Sequence, residues 1–415
     1  MAARANFDVA IVGASLSGCT AAILLSRAGA RVALIEKNPD PAAYKRLCSH
    51  FIQAPAVPTL ERLGLMEPIL VAGGQRARGR VWTRWGWIEP TERPTAYGVN
   101  LRREVLDPLV RAAAAATPGV EFLPGWTAVR LLRDEVKIAG VAIRDPDGAD
   151  LEIPARLTIA ADGRDSPIAG LAEVREQTRP HGRFAYAAYF EGPLPDFAPD
   201  AGLWMMDPQV AAAFPTDNGL VLYVAMPTKD HLPKFKEDIE GALVEWVGSI
   251  PEAPPIRESR RVGPMIGKLD MTNRIRGPVA PGLALVGDAA LAADPLFGVG
   301  CGWAFQSGEW LADSVSPSLR GIDSLENGLR RYRKRHRRGL GMHARLIHGY
   351  STGRKFDFGE RLTIATAVED RKAAALFEAV GTRRARPQEV LAPMAARILA
   401  TNARRLIRAG RGPGA

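Results

Sequence analysis

The stretch Phe7-Asp8-Val9-Ala10-Ile11-Val12-Gly13-Ala14-Ser15-Leu16-Ser17-Gly18 joins an apolar run to a turn that contains two glycines. Residues 19–28 are rich in alanine and leucine and end before a further glycine. Residues 31–35 form a second apolar run, and Glu36 follows it directly. Strand, turn, helix and strand in this order predict a βαβ unit of about 30 residues.

A βαβ unit of this kind can bind a nucleotide at its first turn. Gly13 permits the tight turn, Gly18 lets the helix approach the strand, and the helix N-terminus offers unpaired N–H groups to a pyrophosphate. Glu36 stands where a carboxylate would accept hydrogen bonds from a ribose. An ordinary βαβ turn is the alternative, since a serine occupies the place of the central glycine. The predicted nucleotide contacts are Gly13, Ser15, Ser17, Gly18, Glu36 and Lys37.

Length and composition limit the class of protein. The chain has 415 residues, 47% of them hydrophobic, which is enough for one large core or two fused cores. No apolar run reaches the roughly 18 residues of a transmembrane helix. The three cysteines, Cys19, Cys48 and Cys301, form neither a disulfide framework nor a zinc motif. We therefore expect no transmembrane segment, no metal site and a cytoplasmic location.

The positive net charge of +10 is concentrated at the C-terminal end. From Arg330 to Ala415 there are 21 basic and 6 acidic residues, and residues 330–338 carry the densest run. Such a run could bind nucleic acid, but the solvated face of an Arg-rich helix is the favoured interpretation. We expect no nucleic-acid partner. An acidic carrier protein or an anionic membrane surface remains an alternative partner for this region.

Two further motifs decide the family. The first is Ala161-Asp162-Gly163-Arg164-Asp165-Ser166, and the second is Gly287-Asp288-Ala289-Ala290 followed by Asp294-Pro295-Leu296-Phe297-Gly298-Val299-Gly300. With the N-terminal unit, they resemble the FAD-dependent monooxygenase superfamily of the para-hydroxybenzoate hydroxylase fold. That group also includes geranylgeranyl-reductase-like dehydrogenases and flavin-dependent halogenases. The resemblance implies an α/β protein: a Rossmann-type FAD-binding domain, an inserted mixed or antiparallel β-sheet substrate domain and a helical C-terminal region.

The resemblance also implies roles for single residues. Asp288 would accept a hydrogen bond from the ribityl chain of FAD, and the following glycine loop would lie against the isoalloxazine ring. The Asp-Gly motif is linked in that family to nicotinamide use, so NAD(P)H is the expected electron donor. Ala169 stands where the family has an arginine, which leaves the donor open, and a separate flavin reductase is the alternative. The residues carried over for the cofactor are Arg46, Arg103, Asp162, Gly163, Gly287, Asp288, Pro295, Gly298, Val299 and Gly300.

The expected domain boundaries follow from these motifs. The FAD-binding domain is predicted in three parts, the substrate domain in two, and the basic C-terminal region in one. The FAD-binding parts are 1–80, 101–170 and 276–320, the substrate parts are 81–100 and 171–275, and the C-terminal region is 321–415.

Aromatic residues supply the predicted substrate pocket, although core packing is an equally good explanation for each tryptophan. In the loop after the second strand, His50 could act as a general base, and Cys48 lies near the cofactor. The substrate residues are predicted as Trp82, Trp85, Trp87, Trp204, Phe214 and Phe297.

The implied reaction is hydroxylation of an aromatic, polycyclic or polyketide-like small molecule by molecular oxygen, through a flavin hydroperoxide. A geranylgeranyl-reductase-type dehydrogenase or reductase is the alternative. Halogenation and a non-redox cyclisation with bound FAD are weaker alternatives, because the family fold does not decide the chemistry.

Overall fold

A computed structural model describes residues 7–92, 96–135, 137–295 and 298–410. The first sheet has a parallel core in which the N-terminal strand is central, and its order is β19-β20-β11-β1-β2-β8. An antiparallel hairpin, β9-β10, extends from β11. The strands are β1 (Phe7–Val12), β2 (Val32–Glu36), β8 (Val120–Pro124), β9 (Thr127–Asp134), β10 (Lys137–Arg144), β11 (Asp150–Ala160), β19 (Val279–Ala280) and β20 (Leu283–Leu285).

A second sheet of seven strands has the order β17-β13-β16-β15-β14-β5-β6. It is antiparallel except where β5 pairs with β14, two strands from distant parts of the chain. Its strands are β5 (Gly79–Thr83), β6 (Gly86–Ile88), β13 (Ala185–Glu191), β14 (Ala201–Met205), β15 (Val210–Pro215), β16 (Leu220–Met226) and β17 (Arg260–Lys268). With the helices below, the two sheets confirm the predicted α/β fold class.

Two three-stranded sheets lie beside the large ones in the described ranges, with the orders β3-β7-β4 and β12-β18-β21. Their strands are β3 (Phe51–Ile52), β4 (Gln75–Ala77), β7 (Gly98–Asn100), β12 (Glu176–Arg179), β18 (Asn273–Arg276) and β21 (Leu291–Ala292).

Helices cover the first sheet and form the C-terminal region. None of those in the described ranges is long and apolar enough to cross a membrane. They are α1 (Leu16–Arg27), α2 (Val57–Leu63), α3 (Met66–Val71), α4 (Arg103–Ala115), α5 (Pro167–Leu171), α6 (Leu232–Glu237), α7 (Ile239–Gly248), α8 (Gly300–Leu319), α9 (Leu325–Ser351), α10 (Phe358–Glu369), α11 (Arg371–Gly381) and α12 (Pro387–Gly410).

The second sheet has two apolar faces because successive side chains of a strand point in opposite directions. Leu203, Ala212 and Val224 belong to the inner face, whose apolar cluster also contains residues of α10, α11 and α12. Trp204 and Tyr223 belong to the outer face, which α6 and α7 cover. The sequence predicts one helix over residues 232–247, but two are observed. Asp238 has an extended backbone and caps α7 by accepting a hydrogen bond from the Gly241 N–H at 2.9 Å.

The Arg-rich run lies on α9, and one face of this helix is buried. Tyr332 and His336 point into the core, whereas Arg333 and Arg337 are exposed. The hydroxyl of Tyr332 donates a hydrogen bond to the Leu285 carbonyl at 2.7 Å, which fixes α9 to the end of β20. The run is therefore the solvated face of a packed helix.

Candidate active site

A cavity of about 710 Å³ lies between the two large sheets. One part of its wall is the carboxyl edge of the first sheet, with Gly13 after β1, Glu36 at the end of β2 and Asp162 after β11. Another part is the inner face of the second sheet, including Ala212 and Val224. Loops at the carboxyl edge of a parallel sheet are the usual place for a ligand in α/β folds.

The first glycine turn has no room for side chains. Gly13 has a φ of +106°, and a Cβ there would lie 2.4 Å from the Ala161 carbonyl oxygen. A Cβ on Gly18 would lie 1.9 Å from the Gly13 oxygen. Gly13 lines the cavity, whereas Gly18 lies behind its wall and serves the packing of α1.

The N-terminus of α1 is open to the cavity. Ser15 precedes the helix but makes no capping hydrogen bond, and its Oγ instead accepts one from Arg103 Nη2 at 2.9 Å. Ser15 and Ser17 both line the cavity. N–H groups without a side-chain cap, at the positive end of a helix, attract an anion such as a pyrophosphate.

Glu36 has a second role that the sequence does not reveal. Its carboxylate accepts hydrogen bonds from the Ala14 N–H at 2.8 Å and the Asn38 N–H at 3.0 Å. The side chain therefore braces the glycine turn while it lines the cavity next to Lys37.

The Asp-Gly motif, Asp162-Gly163, lies in the cavity wall, and the Asp162 carboxylate accepts two hydrogen bonds within the protein. Asp162 accepts from Ser166 Oγ at 2.7 Å and from the Ile168 N–H at 2.9 Å, at the start of α5. Burial raises the pKa of Asp162. Gly163 has a φ of +85° and nothing within 4 Å of the place where its Cβ would be. Gly163 therefore leaves open space at the cavity surface.

Asp288 also lines the cavity, and its partner is Lys45 rather than the neighbouring arginine. Lys45 Nζ donates to Asp288 Oδ2 at 2.8 Å. Burial raises the pKa of Asp288, but the charge and hydrogen bond of Lys45 and the charges of Arg164 and Arg103 together outweigh it, and the net pKa is lowered. Arg46 is exposed and is not among the residues that line the cavity, so its contact with the cofactor stays a prediction. A loop without periodicity gives no signal for which of two adjacent cations points inward.

A second helix N-terminus opens onto the same cavity. Pro295, Gly298, Val299 and Gly300 line it, and α8 begins at Gly300 with neither a side-chain cap nor an acidic residue in its first turn. Gly287 does not line the cavity. A Cβ there would lie 2.7 Å from Ser17 Oγ, so the glycine allows the end of β20 to pack closely against Ser17. Phe297 lies outside the described residues.

These residues fit FAD. The uncapped N-termini of α1 and α8 suit the pyrophosphate and the electron-rich edge of the isoalloxazine ring. The open space at Gly163 and Gly300 lets the cofactor come close to the backbone. Arg103 is held between the two helix N-termini by Asp107, with Nε and Nη2 donating to the two carboxylate oxygens at 2.7 and 2.9 Å.

A pair of cysteines lies in the wall at the start of α8. Cys48 Sγ and Cys301 Sγ are 3.5 Å apart, and Arg103 Nη1 lies 3.6 Å from Cys48 Sγ. The hydrogen bond from the Cys301 thiol, followed by the charges of Arg103 and Lys45, lowers the pKa of Cys48 well below its usual range although the group is buried. The Cys48 thiolate and burial raise the pKa of Cys301.

The thiolate character of Cys48 is testable by alkylation. Iodoacetamide should label Cys48 before Cys19, whose pKa burial raises, and the half-maximal rate should lie below about pH 8.5, the value of an ordinary thiol. Lys45→Met should move that midpoint to higher pH, because it removes a positive charge near the sulfur. Arg46→Met, which removes the neighbouring exposed charge, should leave the midpoint in place. Equal labelling of the three cysteines in a mass-spectrometric time course would contradict the assignment.

His50 does not line the cavity. Its side chain is fully buried, stacked on Tyr189 at 5.8 Å, and its Nδ1 lies 2.6 Å from Asn100 Oδ1. Burial lowers its pKa, so the ring is neutral near pH 7. Phe214, which does line the cavity, lies 6.5 Å from the His50 ring between centroids, and the role of His50 as a general base stays a prediction.

Four predicted substrate tryptophans are not in the cavity either. Trp204 is completely buried on the outer face of the second sheet, where Trp82 and Trp87 pack against the same cluster. Trp85 packs beside α10 with the residues of the inner cluster but away from the cavity. Phe214 does line the cavity, as does Trp303 on α8. Lys45, Asp107 and Cys301, which are not among the site residues predicted from the sequence, also line the cavity.

Among the described residues, no group of His, Cys, Asp and Glu could hold a metal ion. The chain is similar in sequence to named reductases. It is 29% identical to digeranylgeranylglycerophospholipid reductase 1 of Methanopyrus kandleri over 342 residues, which are 80% of this chain and 86% of that protein. The digeranylgeranylglycerophospholipid reductase of Methanocaldococcus jannaschii is 26% identical over 79% of this chain and 82% of its own length.

Solved structures share the fold at low sequence identity. The flavin-dependent brominase Bmp2 has a TM-score of 0.77 and 18% identity, covering 91% of this chain and 93% of that one. OxyS anhydrotetracycline hydroxylase from Streptomyces rimosus has a TM-score of 0.71 and 20% identity, covering 91% and 76%. A family model described as an FAD binding domain matches residues 6–342. The chain therefore belongs to the FAD binding domain family and is an FAD-dependent oxidoreductase.

Proposed function

We propose that this protein is an FAD-dependent reductase that saturates carbon–carbon double bonds in a long apolar substrate of isoprenoid type. The observation that carries the proposal is the Cys48–Cys301 pair, which lies in the wall of the same cavity that the apolar inner face of the second sheet lines. The digeranylgeranylglycerophospholipid reductases, which the chain resembles over four fifths of its length, support the same reaction class.

The second sheet favours an apolar substrate. The edge strand β17 contributes Lys268 to the cavity wall, but the lining positions of β13, β15 and β16 are small or apolar: Ala185, Ala187, Ala212, Phe214, Leu222, Val224 and Met226. The three alanines leave room along the sheet, and none of these side chains offers a hydrogen bond. A polyketide with several ketone and hydroxyl groups would lose its hydrogen bonds to water against such a wall, whereas a hydrocarbon chain would not.

The reduction adds a hydride to one alkene carbon and a proton to the other. Bound FAD, in its reduced form, is the group that supplies the hydride and is oxidised by two electrons. In the fraction of the protein in which Cys48 is protonated, its thiol donates the proton from Sγ and becomes a thiolate. The Cys301 thiol and the Arg103 guanidinium stabilise that thiolate, which makes Cys48 the stronger acid of the pair. Cys48 then takes up one proton from hydronium or a buffer acid, so each double bond that is reduced consumes one proton from the solvent.

An anaerobic assay tests the proposal. The flavin-loaded protein is reduced with dithionite, mixed with geranylgeraniol and followed by flavin absorbance and product mass. We expect the flavin to return to its oxidised form and the product to gain two hydrogen atoms for each double bond reduced. A flavin that stays reduced, with a product that gains one oxygen atom only when air is admitted to an aromatic substrate, would contradict the proposal.

The same assay measures the other expectations from the sequence. Hydroxylation with molecular oxygen stays a prediction, and gain of oxygen is its readout. NAD(P)H stays the predicted electron donor, and its use is read from flavin bleaching when NADH or NADPH replaces dithionite. A protein that bleaches with neither would need a separate flavin reductase.

A further inference from the structure

A second cleft, of about 570 Å³, lies on the other side of α8 from the flavin cavity. It is formed by α8, α9 and the connection between α11 and α12. Gln306 and Trp310 line it from α8, and positively charged side chains surround them. We call it the cationic cleft, and its charged residues are Arg331, Lys334, Arg335, Arg338, Arg383 and Arg386.

The cationic cleft has more positive charges than local carboxylates can balance. Arg331 pairs with Asp323, Arg335 with Asp313, and Arg386 with Glu389. In the ranges that the structure describes, no carboxylate forms an ion pair with Lys334, Arg338 or Arg383. Three cations therefore face one cleft without a counter-charge.

Arg383 is the most informative of these cations because it is half-buried and its Nε has no hydrogen-bond partner. Its Nη2 donates to Gln306 Oε1 at 2.6 Å, which orients the guanidinium without neutralising it. Burial lowers the pKa of Arg383 to about 9. A buried charge without an opposite charge is unfavourable, so an anion in the cleft would relieve it.

The cleft is also shaped around an indole ring. Trp310 lies beneath Gly339, where a Cβ would be only 2.4 Å from the ring atom Cη2. Gly339 thus lets α9 approach the ring, and the cleft cations of α9, which lie within residues 331–338, all precede Gly339 on the helix. Arg335 lies over the indole, with 5.5 Å between its Cζ and the ring centroid.

We propose that the cationic cleft binds the phosphate or diphosphate group of a ligand. Guanidinium groups present paired N–H donors that match phosphate oxygens, and three unbalanced charges suit a diphosphate. Arg383 joins this cleft to the flavin cavity, since its Cζ lies 5.7 Å from the ring centroid of Trp303, which lines that cavity. The proposal of an anion site rests on these charges and does not depend on the proposed reductase activity.

Calorimetric titration of the flavin-loaded protein with inorganic pyrophosphate, at about 0.15 M salt, tests the site. The double variant Lys334→Gln/Arg338→Gln removes two unpaired cations of the cleft and should weaken binding about tenfold or more. The double variant Arg333→Gln/Arg337→Gln removes the same charge from the exposed face of the same helix and should weaken it no more than about twofold. Flavin content should be unchanged in both.

Two further ligands separate the sources of the phosphate. Farnesyl diphosphate that competes with pyrophosphate and binds more tightly would identify the head group of a lipid-like molecule, while farnesol should not compete. Equal affinity of farnesyl diphosphate and pyrophosphate would identify a site for free phosphates. The proposal is overturned if neither anion binds saturably, or if the two double variants lose affinity equally.

Discussion

Cys48→Ser should reduce double bonds about 10²- to 10⁴-fold more slowly than the unchanged protein while it still binds FAD. A serine hydroxyl fills nearly the same space but is a far weaker acid than a thiol whose pKa is lowered by the Cys301 hydrogen bond and by Arg103. The rate of flavin reoxidation under anaerobic conditions is the measurement. An unchanged rate would remove Cys48 from the proton transfer.

Cys301→Ser is the matched control for this prediction. Its hydroxyl can still donate a hydrogen bond to Cys48, so the expected loss is smaller, about tenfold. The pH profile separates an acid from a packing residue. Because only the protonated Cys48 donates, the reduction rate should fall as the pH rises above its lowered pKa, and this slope should disappear in Cys48→Ser. A profile that survives the substitution would assign the proton to another group.

Gly18→Val should abolish FAD binding. The Cβ would be 1.9 Å from the Gly13 carbonyl oxygen and 3.1 Å from Ala161 Cβ, and neither the backbone of the turn nor β11 can move away without opening the cavity wall. We expect a loss of at least about 3 kcal/mol in the free energy of unfolding, in addition to colourless protein. The ratio of flavin to protein absorbance and the melting temperature are the measurements.

Gly29→Ala is the control for that substitution. Gly29 follows α1 with a φ of +96°, and nothing lies within 4 Å of its Cβ position. Its cost is therefore the left-handed backbone alone, about 1 kcal/mol, with FAD retained. Should Gly18→Val not yield soluble protein, Gly18→Ala meets the same oxygen and is expected to lose flavin as well. Full flavin content in a Gly18 variant would show that α1 can shift.

The glycine turn and the strands of the second sheet could be predicted because their signals are local. Gly13 and Glu36 mark the ends of β1 and β2, and short apolar runs mark β13 to β16. Which face of a strand points to the cavity could not be predicted. Leu203 and Trp204 are adjacent and both apolar, so their sequence does not distinguish the two faces. Trp204 is on the face that packs against α6 and α7, and Leu203 is on the opposite face.

Nothing in the spacing of the sequence predicts that the thiols of Cys48 and Cys301 form a pair. Cys48 and Cys301 are 253 residues apart, and they meet because β3 and the start of α8 pack together beside Arg103. The sequence also does not predict that Lys45, and not Arg46, lines the cavity, because this depends on the direction of one turn in a loop. Long-range packing decides such details, whereas hydrophobic periodicity decides the elements.

The wall of the flavin cavity runs from Val12 to Ala304 along the chain. During synthesis, the glycine turn after β1 leaves the ribosome long before α8 exists, so the growing chain has only part of the cavity wall for most of its translation. Loading with FAD is therefore a late event that follows the closure of the whole FAD-binding half. Each bound cofactor then stabilises the complete fold against unfolding in proportion to the logarithm of the free FAD concentration. In cells that lack riboflavin, more of this protein should accordingly be without FAD and be degraded faster by proteases.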